Sequence, residues 1–264
     1  MTKTIKRFCK DLNQYYSYSI RLARADLRTE VANSYLNWLW WLIDPLSMMF
    51  IYAFIFGIVF QSSEDNFPLF IFIGITVWSY FSHNMAASVR LIRGNMSIIS
   101  KVYIPKYILL FSEMLVNAFK MLISFGMVIL MMIMYKVQIT SNILFIIPIM
   151  IDLFLISFAV GSILLHYGVY VRDLPYIVDI VLRMLMYFTG TFYSLAKRIP
   201  APYGELVEKA NPVAYLIAAA RNALLYGQRA SWQILILWAL LSLVLLYIGV
   251  SLIYRYENSY AREI

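Results

Sequence analysis

The sequence is short of most residues on which soluble chemistry is built. Cys9 is the only cysteine among 264 residues, so no disulfide can close within the chain and a secreted disulfide scaffold is excluded. His83 and His166 are the only histidines, and neither joins a Cys/His group at metal-ligand spacing. No Gly-Lys dipeptide occurs, which removes the phosphate-binding P-loop, and no Gly-x-Ser-x-Gly elbow offers a nucleophile. Charge is scarce too: 14% of residues are charged and 62% hydrophobic, against roughly a quarter and a half in a soluble domain. That balance excludes an ordinary cytosolic enzyme and a disordered chain. In so apolar a chain, the net charge of +8 points to basic loops held against an anionic membrane leaflet and not to nucleic acid.

What is present is a series of long apolar runs. About 20 apolar residues in a helix cross a bilayer core, and six runs qualify: 36–60, 67–88, 108–134, 143–170, 176–195 and 232–254. They are too long and continuous for barrel strands, so the expected fold is an all-α integral membrane protein forming a single transmembrane domain over 1–264. No cleavable leader is expected, because the first strongly apolar run begins only at Leu36 and lacks a small-residue cleavage site. Six crossings place both termini on one side. Fourteen Lys/Arg fall on that side and six on the other, which assigns the termini to the cytoplasm.

Three segments read as something other than spans. Over 14–34, Ile20, Ala23, Leu27 and Val31 share a helical face beside a stripe of Arg21, Arg24 and Arg28, the pattern of an amphipathic interfacial helix. The loop 93–106 reads as a short helix, with Asn95 able to cap its start and Pro105 able to stop it. The outer loop 196–231 contains Asn211-Pro212, a helix start, then an apolar run to Tyr226 with Gly227 to end it. That run would extend about 21 Å, too short to cross, so a re-entrant or interfacial helix is expected.

Six acidic or basic residues fall inside spans: Asp44, Glu113, Lys120, Asp179 and Arg183, with Asp152 toward the outer part of the fourth. Such groups face protein or water and usually serve bundle packing. Asp179 and Arg183 stand at i, i+4 with the acid first, the favourable order for a pair. Glu113, Asn117 and Lys120 share one face and call for partners on other helices. Trp38, Trp40 and Trp41 suit an interfacial belt. Deeper aromatics, Tyr52 and Phe56 in the first span and Tyr187 and Phe192 in the fifth, offer faces that pack equally well on other helices or on the C–H faces of sugars.

The stretch Trp40-Trp-Leu-Ile-Asp-Pro-Leu46, running into Ile51-Tyr-Ala-Phe-Ile-Phe-Gly57, resembles the first span of type-2 ABC exporter permeases for polysaccharides. Gly74-Ile-Thr-Val-Trp78, the segment from Asn95 to Pro105, Arg172-Asp173 and Asn211-Pro212 resemble further parts of that family in the same order; Lys106 keeps the charge where the family often has arginine. The resemblance implies a homodimer with two copies of a cytoplasmic ATPase. ATP and magnesium would bind on the ATPase, and this chain would hold no cofactor or metal and catalyse nothing. The implied cargo is a lipid-linked glycan (O-antigen, capsule or teichoic acid) crossing the bacterial inner membrane. It also implies coupling through Asn95, Met96, Ser97, Ile98, Ile99, Ser100 and Lys101 with Arg172 and Asp173. The path would run past Tyr52, Phe56, Tyr187 and Phe192. A permease for a small lipid or drug, and an intramembrane transferase, are the alternatives; the lack of an acid–base cluster weighs against the transferase.

Overall fold

The computed structural model describes residues 2–32, 35–61, 64–99 and 101–260. Every regular element among the described residues is helical, as the composition requires. In chain order these are α1 (Thr2–Val31), α2 (Trp40–Tyr52), α3 (Phe67–Ser88), α4 (Leu91–Gly94), α5 (Met96–Ile99), α6 (Lys106–Met134), α7 (Ile146–Tyr170), α8 (Leu174–Phe188), α9 (Leu195–Arg198), α10 (Tyr203–Ala210), α11 (Pro212–Leu224) and α12 (Trp232–Tyr256). Short 3-10 turns over Asn37–Leu39 and Ser141–Phe145 lead into α2 and α7, and α2 continues with π winding over Ala53–Val59. Pro45 lies inside α2, about two turns before that change of winding. Below, "inner" names the end of the bundle to which the charge count assigns the termini, and "outer" the opposite end.

Five helical stretches among the described residues are long and apolar enough to cross a membrane: Asn37–Val59, Phe67–Ser88, Lys106–Met134, Ser141–Tyr170 and Trp232–Tyr256. The expected sixth, over 176–195, needs correction. α8 has fifteen residues, about 22 Å, and stops at Phe188. Gly190 then adopts φ +65°, a conformation that side-chain-bearing residues avoid. The chain nevertheless crosses here. α7 and α12 run parallel: Phe145 meets Trp232 with ring centroids 5.2 Å apart, Ser162 lies against Gly249, and His166 meets Tyr256 at 5.2 Å. Parallel neighbours start at the same face, so residues 171–231 return the chain to the outer end. The fifth crossing is a shortened helix completed by non-helical backbone, which a bilayer tolerates only where protein covers the freed carbonyls.

α3 is the centre of the bundle. Every residue from Leu69 to Trp78 is buried, which is why this stretch is apolar on all sides and shows no amphipathic stripe. α11 is wedged beside it, buried from Val213 to Ile217 and against both α3 and α7. The expected cap is there: Asn211 Oδ1 accepts from the backbone N–H of Val213 at 3.1 Å and of Ala214 at 3.3 Å. The helix ends at Leu224, before Gly227, whose φ of +59° serves the following turn. Outside this core, α2 buries only Met49, and α8 only Val178 and Leu182.

α1 begins twelve residues earlier than the amphipathic pattern suggested. Its first turns are polar and gain partners only through the tertiary fold. Phe8 packs on Tyr107 at 5.0 Å, and Asp11 accepts hydrogen bonds from the hydroxyls of Tyr107 and Tyr254 at 3.2 and 2.8 Å. The expected apolar face holds, with Ala23 buried and Arg21, Arg24 and Arg28 exposed; residues 33 and 34 lie outside the described residues.

The α7–α12 contact depends on a small residue, as close helix packing in lipid generally does. A Cβ on Gly249 would collide with Ser162 Oγ. Gly249→Leu is therefore expected to cost about 1–3 kcal/mol of stability, visible as a lower unfolding temperature in detergent. Gly126→Leu, at a glycine facing open space, is the control and should leave that temperature unchanged.

Candidate functional site

The four aromatics singled out in the first and fifth crossings come together. α2 and its π continuation carry Tyr52 and Phe56 one turn apart, and the turn after α8 folds Phe192 back onto both. Phe192 lies 4.0 Å from Tyr52 and 5.2 Å from Phe56, nearly coplanar with the latter at 5°, and 5.8 Å from Tyr187. Phe192 is fully buried while Tyr187 is exposed, so the cluster has an anchored centre and an open edge. A cavity of about 310 Å³ opens beside it, lined by Phe56, Phe60, Phe192, Tyr193 and Arg198. Aromatic faces with a guanidinium at the rim can hold a polyhydroxylated chain without any single tight contact.

The broken crossing is held by Arg221 of α11. Its guanidinium donates through Nε to Phe70 O at 3.1 Å, through Nη1 to Gly190 O at 2.8 Å and through Nη2 to Thr191 O at 2.6 Å. It also lies 3.5 Å from the centroid of the Phe70 ring. The planar fork of arginine matches three divergent carbonyls, and these include the two freed where α8 ends. Gly74 makes room, since a Cβ there would strike Arg221 Nη2 and Thr191 O. Beside this hub Glu64 accepts from Lys197 at 2.6 Å and from the Tyr226 hydroxyl at 2.8 Å. Burial, followed by that acceptor, pushes the Tyr226 hydroxyl up. Burial likewise raises the Glu208 carboxyl, although Arg221 and Lys209 pull it down.

At the inner end, the loop expected to be one short helix forms α4 and α5, with two changes. Asn95 does not cap α5; its Nδ2 turns back to donate to Leu91 O at 2.9 Å. The short helix ends at Ile99, well before Pro105, which instead precedes α6. Arg93 donates to Val169 O at 2.8 Å, setting α4 beside the turn that carries Arg172 and Asp173. Ser97, Lys101, Arg172 and Asp173 are exposed, and Met96 and Ile99 half-buried. Ser100 lies outside the described residues, as does the side chain of Ile98. Two residues beyond Lys101, the Tyr103 hydroxyl accepts from Arg7 at 2.7 Å and donates to Glu257 at 3.1 Å, while Arg7 donates to Glu257 at 2.8 Å. Burial, then the neighbouring Glu257 carboxylate, keeps the Tyr103 hydroxyl protonated by raising its pKa.

The intramembrane charges sort differently from their spacing. Asp179 pairs with Arg90 at 2.6 Å and not with Arg183, because α3 ends beside α8 and brings a cation closer than the helical neighbour. Arg183 is exposed. Lys120 finds a partner on another helix, Glu30 of α1, at 2.6 Å. Glu113 accepts a long hydrogen bond from Asn117 at 3.5 Å, and Asn117 donates to Asn84 of α3 at 2.9 Å. Asp44 is exposed and makes no ion pair or hydrogen bond among the described residues. The roles of Arg221, Gly74, Glu64 and the Tyr103–Arg7–Glu257 knot emerge only from the tertiary fold. The one available signal was a lone arginine inside the otherwise apolar run 213–226.

Residues 20–225 match the model of the ABC-2 type transporter family. The chain is similar to an O-antigen export system permease protein, RfbA, of Myxococcus xanthus, 26% identical over 260 residues covering 98% of this chain and 99% of the relative. It is also similar to proteins of that name from Klebsiella pneumoniae. One is 23% identical over 252 residues, 95% of this chain and 96% of the relative; another is 24% identical over 218 residues, 82% and 83%. With the family match covering most of an all-helical, membrane-crossing chain, this protein belongs to the ABC-2 type transporter family.

Proposed function

We propose that this chain is the membrane subunit of an exporter that carries lipid-linked polysaccharide across the bacterial cytoplasmic membrane, driven by a separate ATPase. The aromatic cluster of Tyr52, Phe56, Tyr187 and Phe192, with its adjoining cavity, is the observation that carries this reading: it is a surface suited to a sliding sugar chain. O-antigen is the first cargo to test, since the relatives bear that name; capsule and teichoic acid belong to the same class. The apolar faces left open on α2 and α8 suit a second copy related by a two-fold axis, which would set two aromatic clusters about one path. Two copies of the ATPase bind ATP and magnesium, consistent with the missing P-loop here. They engage the segment 95–101, where Ser97 and Lys101 are exposed, and the Arg172-Asp173 turn.

The test is reconstitution in proteoliposomes with the partner ATPase. With lipid-linked polymer supplied on the ATP side, polymer should become accessible to a glycan hydrolase in the other compartment, and only with ATP. Phe192→Ala should slow this at least several-fold while ATP hydrolysis continues. Transport of a saccharide-free lipid at undiminished rate, with polymer excluded, would defeat the proposal.

A further inference from the structure

We propose that the cavity enclosed by the end of α1, the start of α2, α3 and α6 binds the headgroup of a zwitterionic aminophospholipid, with Asp44 taking the ammonium and Lys120 the phosphate. This cavity, about 390 Å³ in volume, lies apart from the aromatic cluster and the Arg221 hub. Its walls carry both signs of charge: the carboxylates of Glu30 and Asp44 and the ammonium of Lys120. Trp40 and Trp41 line it as well, and indole faces attract cations.

Depth identifies the solvent. Lys120 lies about 21 Å along α6 from Met134, and Asp44 about 22 Å from Val59 at the outer end of the first crossing. In a core about 30 Å thick, both stand about 8–9 Å inside its inner edge, where a headgroup drawn into a polar recess can reach and bulk water does not extend freely. An ionised side chain at that depth is costly without a partner. Lys120 has one in Glu30 at 2.6 Å. Asp44 has none among the described residues. The Tyr80 hydroxyl is buried too, with the Asn84 side chain as a neighbour but no hydrogen bond of good geometry, and Tyr80 lines the same cavity.

The cavity therefore lacks one cation beside Asp44 and one acceptor for Tyr80. A primary ammonium followed at short distance by a phosphodiester supplies both, the ammonium between Asp44 and the indoles and the phosphate oxygens toward Lys120 and Tyr80. A diphosphate carrier lipid fits poorly, since its negative charges would face two carboxylates with Lys120 as the counter-charge. A divalent metal fits poorly too, as no three His, Cys, Asp or Glu among the described residues are placed to hold one.

The experiment uses the full chain, delipidated in detergent. Phosphatidylethanolamine, phosphatidylglycerol with the same acyl chains, water-soluble phosphoethanolamine, or potassium chloride alone is added back. Thermal unfolding and lipid retention in native mass spectrometry are then measured. Phosphatidylethanolamine should raise the unfolding temperature and be retained, with the other three ineffective. Asp44→Asn should weaken retention about tenfold, the loss of one charge-assisted hydrogen bond, and Tyr80→Phe about threefold. Tyr80→Phe keeps the ring in place, so it remains informative if Asp44→Asn does not fold. Equal stabilisation by phosphatidylglycerol, an effect of phosphoethanolamine or potassium alone, or unchanged retention in both variants would overturn the assignment.

Discussion

Arg221→Met is expected to collapse the outer half of the bundle, lowering the unfolding temperature sharply and abolishing export in the same variant. Methionine approximates the length and volume of the arginine stem but donates nothing. The carbonyls of Phe70, Gly190 and Thr191, which now accept at 3.1, 2.8 and 2.6 Å, would be left buried and unpaired. Each orphaned group costs about 1–3 kcal/mol, and three together approach the whole net stability of a typical domain, about 5–15 kcal/mol. Arg221→Lys should fall between the two, because a single nitrogen cannot reach three carbonyls that diverge from the guanidinium plane. Gly74→Val attacks the same hub from α3, where a Cβ meets Arg221 Nη2 and Thr191 O, and should reproduce the methionine phenotype. Thermal unfolding in detergent and polymer export in proteoliposomes read all three variants. Wild-type stability and export in Arg221→Met would dismiss the hub.

Glu257→Gln combined with Tyr103→Phe is expected to leave ATP hydrolysis by the assembled transporter intact while polymer moved per ATP falls about tenfold. Tyr103 lies two residues beyond the segment proposed to engage the ATPase, Arg7 sits near the start of α1, and Glu257 follows the end of α12. Their mutual bonds of 2.7, 2.8 and 3.1 Å tie three elements into one unit, so a push on 95–101 moves the inner ends of α1 and α12 together. The Glu257 side chain is 8% exposed, whereas that of Arg7 is 44% exposed. Removing the carboxylate leaves Arg7 able to hydrate, and the fold survives; the mechanical link does not. Since the Arg7 side is open to counter-ions, raising ionic strength should weaken the wild type in the same direction. An unchanged ratio of export to hydrolysis in the double variant would remove the knot from the coupling route.

The apolar runs made most of the crossings legible without coordinates, because a helix that must satisfy its own backbone in lipid announces itself by local hydropathy alone. The same rule overran at 176–195: Thr189 to Leu195 contributes apolar character, but hydropathy does not register that Gly190 takes a positive φ and ends the helix. Charge counting treated Arg221 as one more outer-loop cation, yet it is 4% exposed. Local spacing offered Arg183 to Asp179, whereas the partner is Arg90, 89 residues away. By sequence Tyr52, Phe56, Tyr187 and Phe192 are aromatics of two separate spans, and their meeting at one point requires the turn after α8 to fold Phe192 back.

The sequence by itself determined that this chain lives in a bilayer as a helical bundle and where most of its membrane crossings begin and end. Each of these follows from the residue types present or from sums over neighbours along the chain. Only the tertiary structure decided which buried cation repairs the broken crossing, which acid each base meets, and which polar recess keeps an unpaired carboxylate. Those outcomes depend on electrostatic and steric fit between residues from about 30 to 250 positions apart, distances over which helical periodicity carries no information.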